Sequence, residues 1–160
     1  MAKGTLSFDG KATTGDFTGT TTTVTGEMTG GDTLAEVTGF VEAPVSTLVT
    51  GNGRRDRDLN KSMESQKFPT IRFDLTSVQP GGEVGDSAQV TLVGEFTIHG
   101  VKRPAKVPAT VRFEADTVHV VATVPMNLKD YSIGGLSKFL GVLKMNPDIV
   151  VHVDVSFRAK

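Results

Sequence analysis

Two stretches decide the fold: Val90-Thr91-Leu92-Val93-Gly94-Glu95-Phe96-Thr97-Ile98, and Ile149-Val150-Val151-His152-Val153-Asp154-Val155-Ser156-Phe157 near the end of the chain. In each, apolar residues recur at every second position, a period that puts them on one face of a strand. Val90, Leu92, Phe96 and Ile98 stand against Thr91, Glu95 and Thr97; Ile149, Val151, Val153, Val155 and Phe157 stand against His152, Asp154 and Ser156. The same device fills the sequence between them, with Val107, Ala109, Val111 and Phe113, then Val118, Val120, Ala122, Val124 and Met126. Strands with one dry face must pack it on another sheet or curl around it. The pattern predicts an all-β antiparallel domain and leaves two interiors open, a solid core or a lined cavity.

Turn signals punctuate the chain at short intervals: Asp9-Gly10, Gly30-Gly31-Asp32, Asn52-Gly53, Pro80-Gly81-Gly82, Gly100 and Asn146-Pro147-Asp148. Such spacing suits a sandwich or barrel better than strands alternating with crossover helices. Early strands are expected at Thr5 to Phe8, Phe17 to Met28 and Leu34 to Val45. The run Thr20-Thr21-Thr22-Thr23 offers similar side chains to both faces, so its register is weakly specified. Two stretches depart from the strand period. Leu59 and Met63 lie four apart between Gly53 and Glu64, which predicts a short amphipathic helix ending before Phe68-Pro69. Leu136, Phe139, Leu140 and Leu143 follow Gly134-Gly135 at helical spacing. Both read as short helices closing the ends of a barrel of about eight strands.

The composition narrows the function. At 160 residues the chain has the size of one domain, 1–160, with enough length to bury a core. Lys+Arg 17 against Asp+Glu 18 gives a net charge of -1, which argues against a nucleic-acid partner. Without cysteine there is no disulfide, thiolate nucleophile or cysteine-ligated metal. No run is long enough for a transmembrane helix. His99, His119 and His152 fall on the outward parity, away from a shared interior metal site. Arg54, Arg55 and Arg57 invite a reading as an anion clamp, but Asp56 and Asp58 between them favour surface ion pairs and turn hydrogen bonds. Gly135-Leu136-Ser137-Lys138 lacks the second glycine of a nucleophile elbow, and Gly51-Asn52-Gly53 lacks the lysine of a phosphate loop. Asp130 and Tyr131 form a polar pair at a strand end, with no base beside a nucleophile.

One ordered set of residues is more specific. Thr50-Gly51-Asn52, Arg55-Asp56, Leu59 and Ser62, then Phe68-Pro69-Thr70-Ile71-Arg72-Phe73, then Gly94-Glu95-Phe96-Thr97-Ile98-His99-Gly100-Val101-Lys102-Arg103-Pro104 closely resemble the YceI-like family. The tail Leu140-Gly141-Val142 with Lys144-Met145 and a final strand is similar to that family's ending, and the likeness runs from Gly15 to Phe157. The resemblance implies a lipocalin-like β-barrel that binds polyisoprenoids or similar long-chain amphiphiles without performing chemistry on them and with no cofactor. It implies a periplasmic or secreted protein if a signal was removed. A cytoplasmic one is expected if Met1 is the native start. A homodimer is left open.

On this reading the wall of the lumen is expected to comprise Phe73, Leu92, Phe96, Ile98, Val107, Val111, Phe113, Val120, Val124, Val153 and Phe157, with Phe68, Leu136, Phe139, Leu140 and Leu143 gating its ends. The competing expectation is a filled barrel acting as a structural or protein-interaction domain. A third is a hydrolase or isomerase recruiting Asp130, Tyr131 or His99.

Overall fold

The computed structural model describes residues 2–12, 15–30, 36–84, 87–114, 116–133 and 146–158. Among these residues nine strands and one α-helix make the frame: β1 (Ala2–Ala12), β2 (Gly15–Thr21), β3 (Thr25–Thr29), β4 (Thr38–Pro44), α1 (Gly53–Met63), β5 (Thr70–Val84), β6 (Ser87–Ile98), β7 (Val101–Glu114), β8 (Thr117–Asn127) and β9 (Asp148–Arg158). They form a single sheet in the order β2-β1-β9-β8-β7-β6-β5-β4-β3. Every ladder is antiparallel, and neighbours in space are neighbours in sequence except where β1 pairs with β9. The sheet therefore curls into a half-barrel, with one strand more than the expected eight.

Its two outer strands, β2 and β3, follow one another in the chain, so the curl brings its edges together. Side chains hold that seam. Buried Ala2, Val24 and Val155 pack with Leu6, Val41, Val153 and Phe157, joining β1 and β9 to β4 across it. One pair of main-chain hydrogen bonds adds to this: Thr20 N–H donates to the Val49 carbonyl (2.9 Å) and Val49 N–H to that of Thr20 (3.0 Å).

The early strands correct the sequence reading. β1 is eleven residues long, not a short segment from Thr5 to Phe8. The predicted strand from Phe17 to Met28 breaks at Thr22–Val24. There the Thr21 hydroxyl, buried at 2% exposure, meets the Thr47 hydroxyl at 2.7 Å and accepts from Thr23 N–H at 3.0 Å. A threonine that satisfies the next backbone donor competes with the ladder, which is why the strand stops there. The strand expected over Leu34 to Val45 is described only from Thr38 and ends at Pro44. Pro80-Gly81-Gly82 is no turn: β5 continues through it to Val84, with register shifts at Leu75/Ser77 and Pro80/Glu83. Gly and Pro inside a strand mark a bulge as readily as a corner.

The turn at Gly100 is present. His99 and Gly100 have φ of 55° and 73°, two positive values that define the tight hairpin between β6 and β7. His99 therefore sits in a turn rather than on a strand face. Helix α1 begins on Asn52, whose side chain accepts from Arg55 N–H at 3.0 Å, and ends on Glu64 in the left-handed conformation. Its buried Leu59 packs with Phe17, Val45, Leu48 and Ile149, which closes one end of the barrel. The second predicted helix, carrying Leu136, Phe139, Leu140 and Leu143, lies outside the described residues.

Candidate functional site

The apolar faces of β5 to β9 converge on a cavity of about 220 Å³, walled almost entirely by hydrocarbon. The alternation read from the sequence becomes its lining. Phe73 comes from β5; Leu92, Phe96 and Ile98 from β6; Val107, Val111 and Phe113 from β7; Val120 and Val124 from β8; and Val153 and Phe157 from β9. All eleven line this cavity. Phe73 and Phe96 face each other across the β5–β6 ladder, ring centroids 4.7 Å apart. Phe113 is 60% exposed although it lines the cavity, so the end of the barrel away from α1 is its mouth.

The wall expected from the sequence omits several lining residues. Val90, Val118, Met126, Val151 and Val155 share the parity of those it includes, whereas Leu6 and Val41 come from early strands whose inward face no alternation marked. A second chamber was missed altogether. It holds about 90 Å³ beneath α1 and is lined by Leu48, Leu59, Met63, Leu128, Tyr131, Ile133 and Ile149, among others. Leu6, Ile71, Ile98, Met126 and Val151 line both spaces and form a waist between them. The interior thus holds a main chamber that reaches toward Phe113 and an inner chamber under the helix, with the five side chains of the waist between them.

Phe68 lines neither chamber. Its ring packs edge-on against His99 at 4.9 Å and crowds Gly100, anchoring the link from α1 to β5 on the β6–β7 turn. His99 extends that clamp, its Nδ1 lying 3.0 Å from the Tyr131 carbonyl and its Nε2 3.0 Å from Glu64 Oε2. Asp130 meets Arg103 through its main-chain carbonyl at 3.3 Å. The contacts that connect His99 to Tyr131 and Arg103 to Asp130 therefore run through backbone oxygens, a structural arrangement and not a base poised on a nucleophile.

The arginine cluster resolves in the same direction. Arg55 lies over the Phe17 ring at 4.5 Å and reaches the Thr50 carbonyl at 3.4 Å, while Asp56 accepts from Thr50 N–H at 2.8 Å and from its hydroxyl at 2.6 Å. These contacts dock the start of α1 on β2. On the outer face His119 pairs with Asp154 at 2.9 Å and His152 with Asp9 at 2.7 Å. Hydrogen bonds from His152 and then Thr18 hold the Asp9 carboxyl below its ordinary range. Among the described residues no three His, Asp or Glu gather into a metal-binding group, and no helix is long and apolar enough to cross a membrane.

Tyr131 gives the inner chamber a reporter. It is 6% exposed, and burial pushes its phenol above the ordinary range, opposed by Arg103 and reinforced by Asp130. The unfolded phenol ionises near pH 10, so above that pH the unfolded state sheds its proton first, and stability falls until the folded phenol also ionises. The chain has one tyrosine and no tryptophan, so tyrosinate absorbance follows this group alone. Its midpoint is expected to lie above that of the urea-unfolded chain; coincident midpoints would show that the inner chamber is open to water.

A sequence profile described as a YceI-like domain matches residues 1–157. The chain belongs to the YceI-like family. The UPF0312 protein of Pseudomonas savastanoi pv. phaseolicola is 30% identical to this YceI-like chain over 103 residues, 59% of the chain and 52% of the relative. The chain thus spans about half the length of the curated relatives it matches. Among solved structures, Burkholderia cenocepacia BcnA superposes with a TM-score of 0.80 at 15% identity, covering 97% of this chain and 95% of that one. A polyisoprenoid binding domain from Saccharophagus degradans superposes with a TM-score of 0.80 at 17% identity, covering 99% and 98%. At such identities the likeness establishes that this YceI-like domain shares their barrel fold.

Proposed function

We propose that this YceI-like domain carries or sequesters a polyisoprenoid or comparable long-chain lipid in its lumen, without chemistry on it. The observation that carries the reading is the hydrocarbon lining of two adjoining chambers that share five wall residues, which offers a prenyl tail almost nothing but dispersion contacts and exclusion from water. The Saccharophagus degradans domain of the same fold, described as polyisoprenoid binding, supports it. Each five-carbon unit buried is worth about 4 kcal/mol gross, at about 0.8 kcal/mol per methylene-sized group. Ordering of the tail offsets much of this, so affinity rises with tail length only to a ceiling.

Organic extraction of protein made in bacteria, followed by mass spectrometry, tests the proposal together with uptake of defined prenols read by Tyr131 fluorescence. A co-purifying amphiphile or saturable uptake is expected. Protein that contains none and takes up none overturns the reading.

Phe96→Ala separates a carrier from a filled barrel. In a packed core this truncation costs about 3–5 kcal/mol. Phe96 is only half-buried and already borders empty space, so a cost of about 2 kcal/mol or less is expected in the lipid-free protein, together with faster loss of bound prenol. A loss in the packed-core range, measured by urea titration, would favour the interaction-domain alternative.

A further inference from the structure

The β7–β8 ladder is incomplete. It runs from Glu114↔Thr117 to Ala109↔Ala122 and stops, leaving Val101 to Pro108 of β7 and Thr123 to Asn127 of β8 without a ladder between them. The other sides of both strands stay paired: the β6–β7 ladder passes Pro104 and Pro108 unbroken, and the β8–β9 ladder passes Pro125 unbroken. An antiparallel strand turns alternate residues toward each neighbour, and a proline opposite a hydrogen-bonded partner would break that ladder. All three missing N–H groups therefore point into the gap. The register that ends at Ala109↔Ala122 would next pair Pro108 with Thr123, so the ladder ends where the first donor is missing.

Behind this slit lies the lumen. Phe96, Val107, Val124 and Met126 line the main chamber and also the open groove on the outer side of the slit, where Arg103, Lys106 and Asn127 stand. Met126 borders the inner chamber as well, so main chamber, inner chamber and exterior meet at one flexible side chain. Phe73 and Phe96 line the main chamber, and Phe96 stands two residues along β6 from Ile98 at the waist. Among the described residues no ladder has to open for a tail to pass through the slit.

We propose that the slit between β7 and β8 is the portal through which lipid enters and leaves the lumen, and that Pro104, Pro108 and Pro125 keep it open. This rests on the lipid-binding reading above and adds a kinetic claim: closing the slit slows exchange without changing equilibrium occupancy.

The test uses the full chain loaded with a radiolabelled prenol and mixed with excess neutral phosphatidylcholine vesicles. In one arm Pro108→Thr and Pro125→Val restore two donors. In the other, Lys106→Cys with Pro125→Cys, facing each other in the extended register, staple the slit in a protein that otherwise has no cysteine. New amide protection at the facing edges is expected in the first arm. Release slowed by about tenfold or more is expected in both, with uptake slowed by the same factor, since a closed portal raises the barrier in both directions. Reduction of the staple should restore the original rate. Wild-type release rates in the oxidised protein, or in a restored-donor variant with the new protection, overturn the portal. A slit still unprotected after the donors return overturns the role of the prolines. Wild-type protein that never takes up prenol sinks the lipid-binding reading instead, an outcome separate from the other two.

Discussion

Gly94→Ala is expected to cost about 3 kcal/mol, the upper end of what overpacking one methyl group does, and to lower the melting temperature by about 6–12 °C. Gly94 lies on the lumen parity of β6 opposite Leu75, beside the register shift that bends β5. A Cβ there would run into the Asp74 carbonyl oxygen and come within 2.8 Å of Phe73 Cζ. The first obstacle is backbone on the partner strand, which cannot rotate away. The second is the ring that lines the cavity, so relief on that side pushes Phe73 into the lumen. The β5–β6 ladder must therefore loosen or the lumen must narrow. Thermal unfolding and prenol uptake on the same variant read the two effects. A loss below about 1 kcal/mol would show that the strands have slack at this point, and the bend would then need another cause.

The same residue shows what a sequence can disclose. Gly94 is visible as a gap in an otherwise regular alternation, yet its reason, an aromatic ring folded into the space, belongs to the neighbouring strand. Legibility followed the contrast between faces. On β6 to β9 alternate residues are mostly aliphatic or aromatic and those between them mostly threonine, histidine or charged, so lumen positions can be named one by one. On β2 and β3 threonine and glycine occupy both faces, and which threonine goes inside depends on a hydroxyl pair between Thr21 and Thr47 that no local pattern encodes. Pro80-Gly81-Gly82 carries turn chemistry, but the paired length of β6 overrides it and makes a bulge. The inner chamber was illegible for a different reason. Leu128, Tyr131 and Ile133 come from a 3-10 turn and its exit, where neither a period of two nor of 3.6 applies, and they meet Leu59 and Met63 only through the tertiary fold.

Narrowing the waist is expected to turn that inner chamber into a limit on tail length. Val151 borders both spaces and is only half-buried, so Val151→Phe puts a ring into the opening at a stability cost of about 1–3 kcal/mol. Tails short enough to end before the waist should bind as before. Longer ones should lose the burial of whatever lay beyond it, up to about 0.8 kcal/mol for each excluded methylene-sized group, or about tenfold in affinity once two are shut out. Ile98→Ala makes the opposite change at the same ring and should shift preference toward longer tails, although it leaves a cavity and lowers stability. Competition among prenols of increasing length measures both variants against the wild type. Equal losses at every length would mean that the substitution merely damages the main chamber. The rate claim for the β7–β8 slit survives that result, because the waist sets how far a tail can extend at equilibrium, whereas the slit sets how fast it arrives.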